Sequence, residues 1–156
     1  MHIRRSQPAD GDTLMDVWLR SVRATHGFLT EADVQSLLPH VRDYLASADE
    51  GLWVLCTDGG EVMGFMGMSG SKVESLFLAP EHQRQGGGRR MIQHAREVGG
   101  DDLTVDVNEQ NPDACRFYQA CGFVVEGRSP LDNQGRPFPL LHMRMRSPAR
   151  SSTVTR

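Results

Sequence analysis

Lysine is almost missing from this chain: Lys72 stands alone among 17 basic residues, and all the others are arginine. A P-loop carries a lysine directly after its last glycine. Lys72 lies ahead of the glycine-rich run, so that phosphate cradle is excluded. Cysteine is scarce too. Cys56, Cys115 and Cys121 are odd in number and include no C-x-x-C pair, which fits neither a disulfide framework nor a zinc site. The six histidines never fall at H-x-x-x-H or H-E-x-x-H spacing, and no metal is expected. No apolar run approaches the ~20 residues that span a membrane. Met1-His2-Ile3-Arg4-Arg5-Ser6 lacks the apolar core of a signal peptide, so the sequence reads as cytoplasmic, without a membrane partner. A basic excess is also lacking: a net charge of −3 and a pI near 6.0 argue against a nucleic-acid partner.

What is present fits one globular domain over residues 1–146, followed by a polar stretch, 147–156, expected to be disordered. His2 to Arg5 reads as a first strand. Asp10 or Asp12 is placed to cap a helix with the apolar stripe Leu14, Val17, Trp18 and Val22. Thr30-Glu31-Ala32-Asp33 has capping-box form and starts a second helix, which continues through Val34, Leu37, Leu38, Val41 and Leu45. Leu52–Thr57 and Glu61–Ser69 make a hairpin around Asp58-Gly59-Gly60, and Val73–Leu78 is the next strand. A helix over Arg89–Val98, with Met91, Ile92, Ala95 and Val98 inward, is stopped by Gly99-Gly100. Leu103–Asn108 is a strand, Asn111-Pro112 opens a short helix that exits at Gly122, and Phe123–Gly127 and Leu140–Arg146 complete the strands. The order is β-α-α-β-β-β-α-β-α-β-β, a mixed α/β layer.

The run Gln83-Arg84-Gln85-Gly86-Gly87-Gly88-Arg89-Arg90 joins a strand to a helix. Glycines let a backbone approach a ligand closely, and the N–H groups and dipole of a helix start favour phosphate. Three glycines also occur in ordinary flexible loops. A dinucleotide fingerprint is a weak match, because Met91 stands where G-x-G-x-x-G needs its third glycine. Downstream, Asn108-Glu109-Gln110-Asn111-Pro112 is followed by Arg116-Phe117-Tyr118-Gln119-Ala120-Cys121-Gly122-Phe123, an asparagine-capped helix whose aromatic pair precedes a glycine-phenylalanine exit.

In these two segments and in its element order the chain resembles the GNAT superfamily of N-acetyltransferases. Through Ala24-Thr25-His26-Gly27-Phe28-Leu29, Asn108-Glu109-Gln110-Asn111 and Pro137-Phe138-Pro139-Leu140-Leu141 it resembles in particular the small bacterial stand-alone enzymes of the YjaB type. The resemblance implies a mixed, mostly antiparallel sheet of six or seven strands flanked by four helices. It also implies acetyl-CoA as cosubstrate and an amine acceptor, either a small molecule or a peptide, that attacks the thioester carbonyl directly without an acyl-enzyme. Backbone groups of Leu76, Phe77 and Leu78 would bind the pantetheine arm. Arg84, Gln85, Gly86, Gly87, Gly88 and Arg89 would hold the pyrophosphate, and Asn111, otherwise a plain helix cap, would hydrogen-bond the pantetheine.

Tyr118 matches the position from which family members protonate the departing thiolate, a task suited to a phenol of ordinary pKa about 10. A core tyrosine with a satisfied hydroxyl is the structural alternative. The base that deprotonates the amine is left open among Glu74, His26, Glu109 and a water chain. Glu74 shares a strand face with Leu76 and Leu78, and His26 lies in a loop that borders the acceptor in relatives. A non-catalytic acyl-CoA binding or sensing domain is the alternative from another class. The fold permits a homodimer, and no sequence feature decides it.

Overall fold

A computed structural model describes residues 1–47 and 51–145. The expected disorder of 147–156 and the strand assignment of Arg146 lie outside those residues. The elements are β1 (His2–Arg5), α1 (Gly11–Thr25), α2 (Glu31–Ser47), β2 (Leu52–Cys56), β3 (Val62–Ser69), β4 (Lys72–Leu78), α3 (Gly87–Gly99), β5 (Thr104–Asn108), α4 (Pro112–Ala120), β6 (Phe123–Ser129) and β7 (Leu140–Met145). Short 3-10 turns at Pro8–Asp10 and Pro80–His82 add to the expected order. Seven strands form one sheet in the order β1-β2-β3-β4-β5-β7-β6, and the β4–β5 pair is parallel. Among the described residues no helix is long and apolar enough to cross a membrane.

Packing divides the chain into two units, residues 1–69 with 74–91, and residues 70–73 with 92 onward. In the first, α1 turns Leu14, Val17, Trp18 and Val22 inward and α2 adds Val34 and Leu45, packed with Leu52, Val54, Cys56 and Phe65. The capping box that starts α2 is present: the Thr30 N–H donates to Asp33 Oδ2 at 2.9 Å and the Asp33 N–H to Thr30 Oγ1 at 3.1 Å. Asp10 does not cap α1 through its side chain. Its own dihedrals are already helical (φ −79, ψ −14), whereas a capping residue is normally extended. Its carboxylate instead accepts from the Gln7 N–H at 2.7 Å and pairs with Arg4 at 2.9 and 3.0 Å. Strand β3 passes α2 closely. The Tyr44 hydroxyl meets Ser75 Oγ at 2.9 Å, Ser75 Oγ accepts from the Gly67 N–H at 3.0 Å, and a Cβ on residue 67 would overlap the Tyr44 hydroxyl.

In the second unit, β5 and β6 flank β7 with antiparallel registers Asp106↔His142 and Gly127↔His142. A bulge lies between Val125 and Gly127, so Glu126 is the extra residue of β6. The parallel ladder with β4 comprises Lys72↔Thr104 and Val73↔Val105. Ile92, Ala95, Leu103, Val105, Val107, Phe123, Met143 and Met145 are buried. Val98, expected inward, is 48% exposed: α3 ends one residue later at Gly99, and the last turn carries it to the surface.

Candidate active site

Helix α3 begins at Gly87, two residues earlier than periodicity predicts, so the glycines are its first turn. The Arg90 N–H donates to the Gly86 carbonyl at 3.0 Å, and the N–H groups of Gly87, Gly88 and Arg89 precede that first helical bond. The turn ahead of them needs left-handed backbone, with φ of +63 at Arg84 and +86 at Gly86. Two glutamines pin it: Gln83 Nε2 donates to the Leu78 carbonyl at 3.3 Å and Gln85 Nε2 to the Glu81 carbonyl at 3.2 Å. Gly87 and Gly88 are buried while Arg84, Gln85, Gly86 and Arg89 are exposed. A Cβ on residue 87 would sit 2.8 Å from Leu55 Cδ2. Adjacent helix N–H groups, a positive dipole end and two exposed guanidinium groups fit a pyrophosphate.

In the same unit β4 carries Glu74, exposed, and Leu76, Phe77 and Leu78, partly buried. These residues lie beyond Val73, where the two-pair ladder with β5 ends. His26 follows α1, its ring centroid 5.3 Å from Phe28 and 6.4 Å from Phe77. Thr25 Oγ1 spends its proton on the Ser21 carbonyl at 2.8 Å, so His26 Nδ1, also 2.8 Å from Thr25 Oγ1, must be the protonated ring nitrogen. Burial lowers the His26 pKa to about 4. The imidazole is therefore neutral near pH 7, and it is a weak base.

In the second unit, Asn111 Oδ1 caps α4 by accepting from the Ala114 N–H at 3.2 Å, and the residue is buried. Two turns on, the Tyr118 ring stands edge-on to Phe117 at 5.1 Å and Phe123 at 5.4 Å. Burial, with a smaller contribution from Cys121, raises the Tyr118 hydroxyl well above its ordinary pKa. Among the described residues that hydroxyl makes no hydrogen bond. Glu109 is held by Arg128 at 2.6 and 3.0 Å, and this pairing lowers its carboxyl pKa. Burial raises the Cys115 thiol, which donates to the Asn108 carbonyl at 3.7 Å.

Comparison with known proteins completes the assignment. Residues 15–123 match the Acetyltransferase (GNAT) family. The chain belongs to the GNAT acetyltransferase family. It is an acetyl-CoA-dependent N-acetyltransferase. It is 43% identical over 143 residues to the peptidyl-lysine N-acetyltransferase YjaB of Salmonella typhimurium, covering 92% of this chain and 97% of the relative. The solution structure of apo-form YjaB from Escherichia coli superposes with a TM-score of 0.85 at 40% identity, covering 92% and 95% of the two chains. PaiA N-acetyltransferase from Thermoplasma acidophilum, solved with coenzyme A, shares the fold at a TM-score of 0.76 and 21% identity over 94% and 98% of the chains.

Beyond the GNAT segments, sequence reasoning missed a polar chain on the second unit's sheet. Asp106 Oδ1 lies 2.6 Å from His142 Nδ1, His142 Nε2 lies 2.6 Å from Ser129 Oγ, and Lys72 Nζ pairs with Asp106 Oδ2 at 2.9 Å. Strand alternation in Thr104-Val105-Asp106-Val107-Asn108 does put Asp106 on the polar face, but only the β5-β7-β6 adjacency brings the other two residues to it. Burial would raise the Asp106 carboxyl, and bonds from His142 and Lys72 outweigh it, leaving its pKa lowered. In the first unit Glu61, Glu81 and His82 bring one possible ligand atom each within 4.8 Å of one another. Glu81 is already neutralised by Arg20 at 2.6 Å.

Proposed function

We propose that this GNAT enzyme, acting as one catalytic domain over residues 1–146, acetylates lysine side chains of peptides by direct transfer, with Tyr118 as general acid. The carrying observation is Tyr118: the residue is buried, its surroundings keep the phenol protonated, and its hydroxyl makes no hydrogen bond among the described residues. An acid of this kind meets the charge that develops on the departing sulfur, and its removal typically costs ~10²- to 10⁴-fold in rate. The acceptor class is supported by the name peptidyl-lysine N-acetyltransferase carried by relatives at 43% and 41% identity.

The donor would lie along Leu76, Phe77 and Leu78, which stand past the end of the β4–β5 ladder, with its pyrophosphate on the N–H groups of Gly87, Gly88 and Arg89. Asn111 retains an amide NH₂ beside its capping carbonyl for the pantetheine arm. The test is calorimetric titration with acetyl-CoA, followed by transfer to a lysine-containing peptide by wild type and Tyr118→Phe. The expected result is unchanged acetyl-CoA affinity with kcat down ~10²- to 10⁴-fold. Unchanged turnover across the pH range would remove Tyr118 from the mechanism.

A further inference from the structure

A lysine acceptor, of pKa about 10.4, is almost wholly ammonium at neutral pH, and freeing the amine there costs ~4.6 kcal/mol. Two of the groups expected to take that proton are poorly suited: His26 is depressed to about 4 by burial, and Glu109 is committed to Arg128. We propose that Ser129, His142 and Asp106 are the proton relay for the acceptor amine. This inference rests on the N-acetyltransferase reading above. An ionised Asp106 can only accept, so Nδ1 of His142 is the protonated nitrogen. Nε2 of the neutral ring is then the acceptor of the Ser129 hydroxyl proton. When the ammonium N–H bond breaks, its proton passes to Ser129 Oγ while the Ser129 hydroxyl proton passes to His142 Nε2. The lone pair stays on the amine nitrogen for attack, and the new imidazolium charge faces the Asp106 carboxylate. The His142 side chain is 35% exposed and Ser129 is partly exposed, so the outer end of the relay is open to a substrate.

The same three residue types form nucleophilic triads, but here the residue after the serine is Pro130. The backbone N–H that normally follows a nucleophile and helps to hold its oxyanion does not exist in this chain. The arrangement is suited to moving protons and not acyl groups. The charged groups around His142 are accounted for on each neighbouring strand. Asp106 on β5 is shared with Lys72 on β4, Arg128 on β6 is taken by Glu109, and Arg144 on β7 pairs with Asp102 at 2.9 Å and Glu126 at 3.1 Å.

The experiment measures kcat/KM for acetyl-CoA and a lysine-containing peptide from neutrality up to the pKa of the acceptor, about 10.4. Calorimetry of acetyl-CoA binding is run in parallel on each variant of the full chain. His142→Gln and Ser129→Ala should lose ~10²- to 10⁴-fold near neutrality, bind acetyl-CoA as the wild type does, and recover toward high pH, where the amine needs no base. Ser129→Thr, which restores a hydroxyl, should restore activity, and this pair carries the test should His142→Gln fold poorly. A deficit equal at every pH, normal turnover by Ser129→Ala, or an acetyl adduct on Ser129 after incubation without acceptor would each overturn the relay. A wild type that binds acetyl-CoA yet acetylates no lysine peptide at any pH would remove the parent reading, and this proposal with it.

Discussion

The end of α1 and the β5-β7-β6 sheet each hold a partly buried imidazole, and the two are surrounded in opposite ways. His26 sits between the rings of Phe28 and Phe77 with a threonine hydroxyl as its polar neighbour. His142 sits between a carboxylate and a hydroxyl, each at 2.6 Å. Burial alone disfavours the charged ring, whereas a carboxylate on one nitrogen gives a new positive charge somewhere to rest. Nearness to a binding loop is therefore a poorer guide to a base than the identity of the groups that meet its two nitrogens.

The contrast is most directly broken by exchanging both residues for glutamine and measuring lysine-peptide acetylation near neutrality. His142→Gln should lose ~10²- to 10⁴-fold, while His26→Gln should lose less than ~10-fold. A reversed order would return the base to the α1 end. His26 should instead declare itself in stability. Its folded pKa, about 4, lies below the ordinary ~6.5, so the unfolded chain takes up the proton first as the solution is acidified. The contribution is whole above about pH 6.5 and is lost as pH falls toward 4, amounting to roughly 3 kcal/mol. Denaturant titrations across that window should show the slope in wild type and its loss in His26→Gln.

A second hydroxyl network, in the first unit, sharpens the comparison. Gly67→Ala forces the Tyr44 hydroxyl away from Ser75 and should destabilise by roughly 1–3 kcal/mol in denaturant melts. Tyr44→Phe keeps the packing and loses one hydrogen bond, and should cost about 1 kcal/mol with kcat unaltered. A kcat effect in Tyr44→Phe would mean that the first unit takes part in proton transfer after all.

Much of the local structure was legible in the chain because its signals are local. The glycines, the Thr30–Asp33 box, the Asn111 cap and the aromatic pair around Tyr118 act within a turn or two of themselves, so spacing alone reveals them. Helix α3 and the last turn at Val98 were misjudged at their ends, where periodicity is weakest. Asp10 was misread because a capping residue must also have the right backbone, which composition does not show. The pKa of His26 depends on burial, which spacing does not show, and the Asp106–His142–Ser129 chain spans strands whose adjacency is a property of topology.

The bulge at Glu126 gives that topology an arithmetic. Side chains alternate along a strand, so one supernumerary residue changes the parity of every position after it. Paired without the bulge, β6 would turn Arg128 toward His142 and send Ser129 to the opposite side. Counting odd and even positions from Phe123 gives the wrong partner, and a one-residue deletion at 126 should spare the relay that an insertion beside it would dismantle.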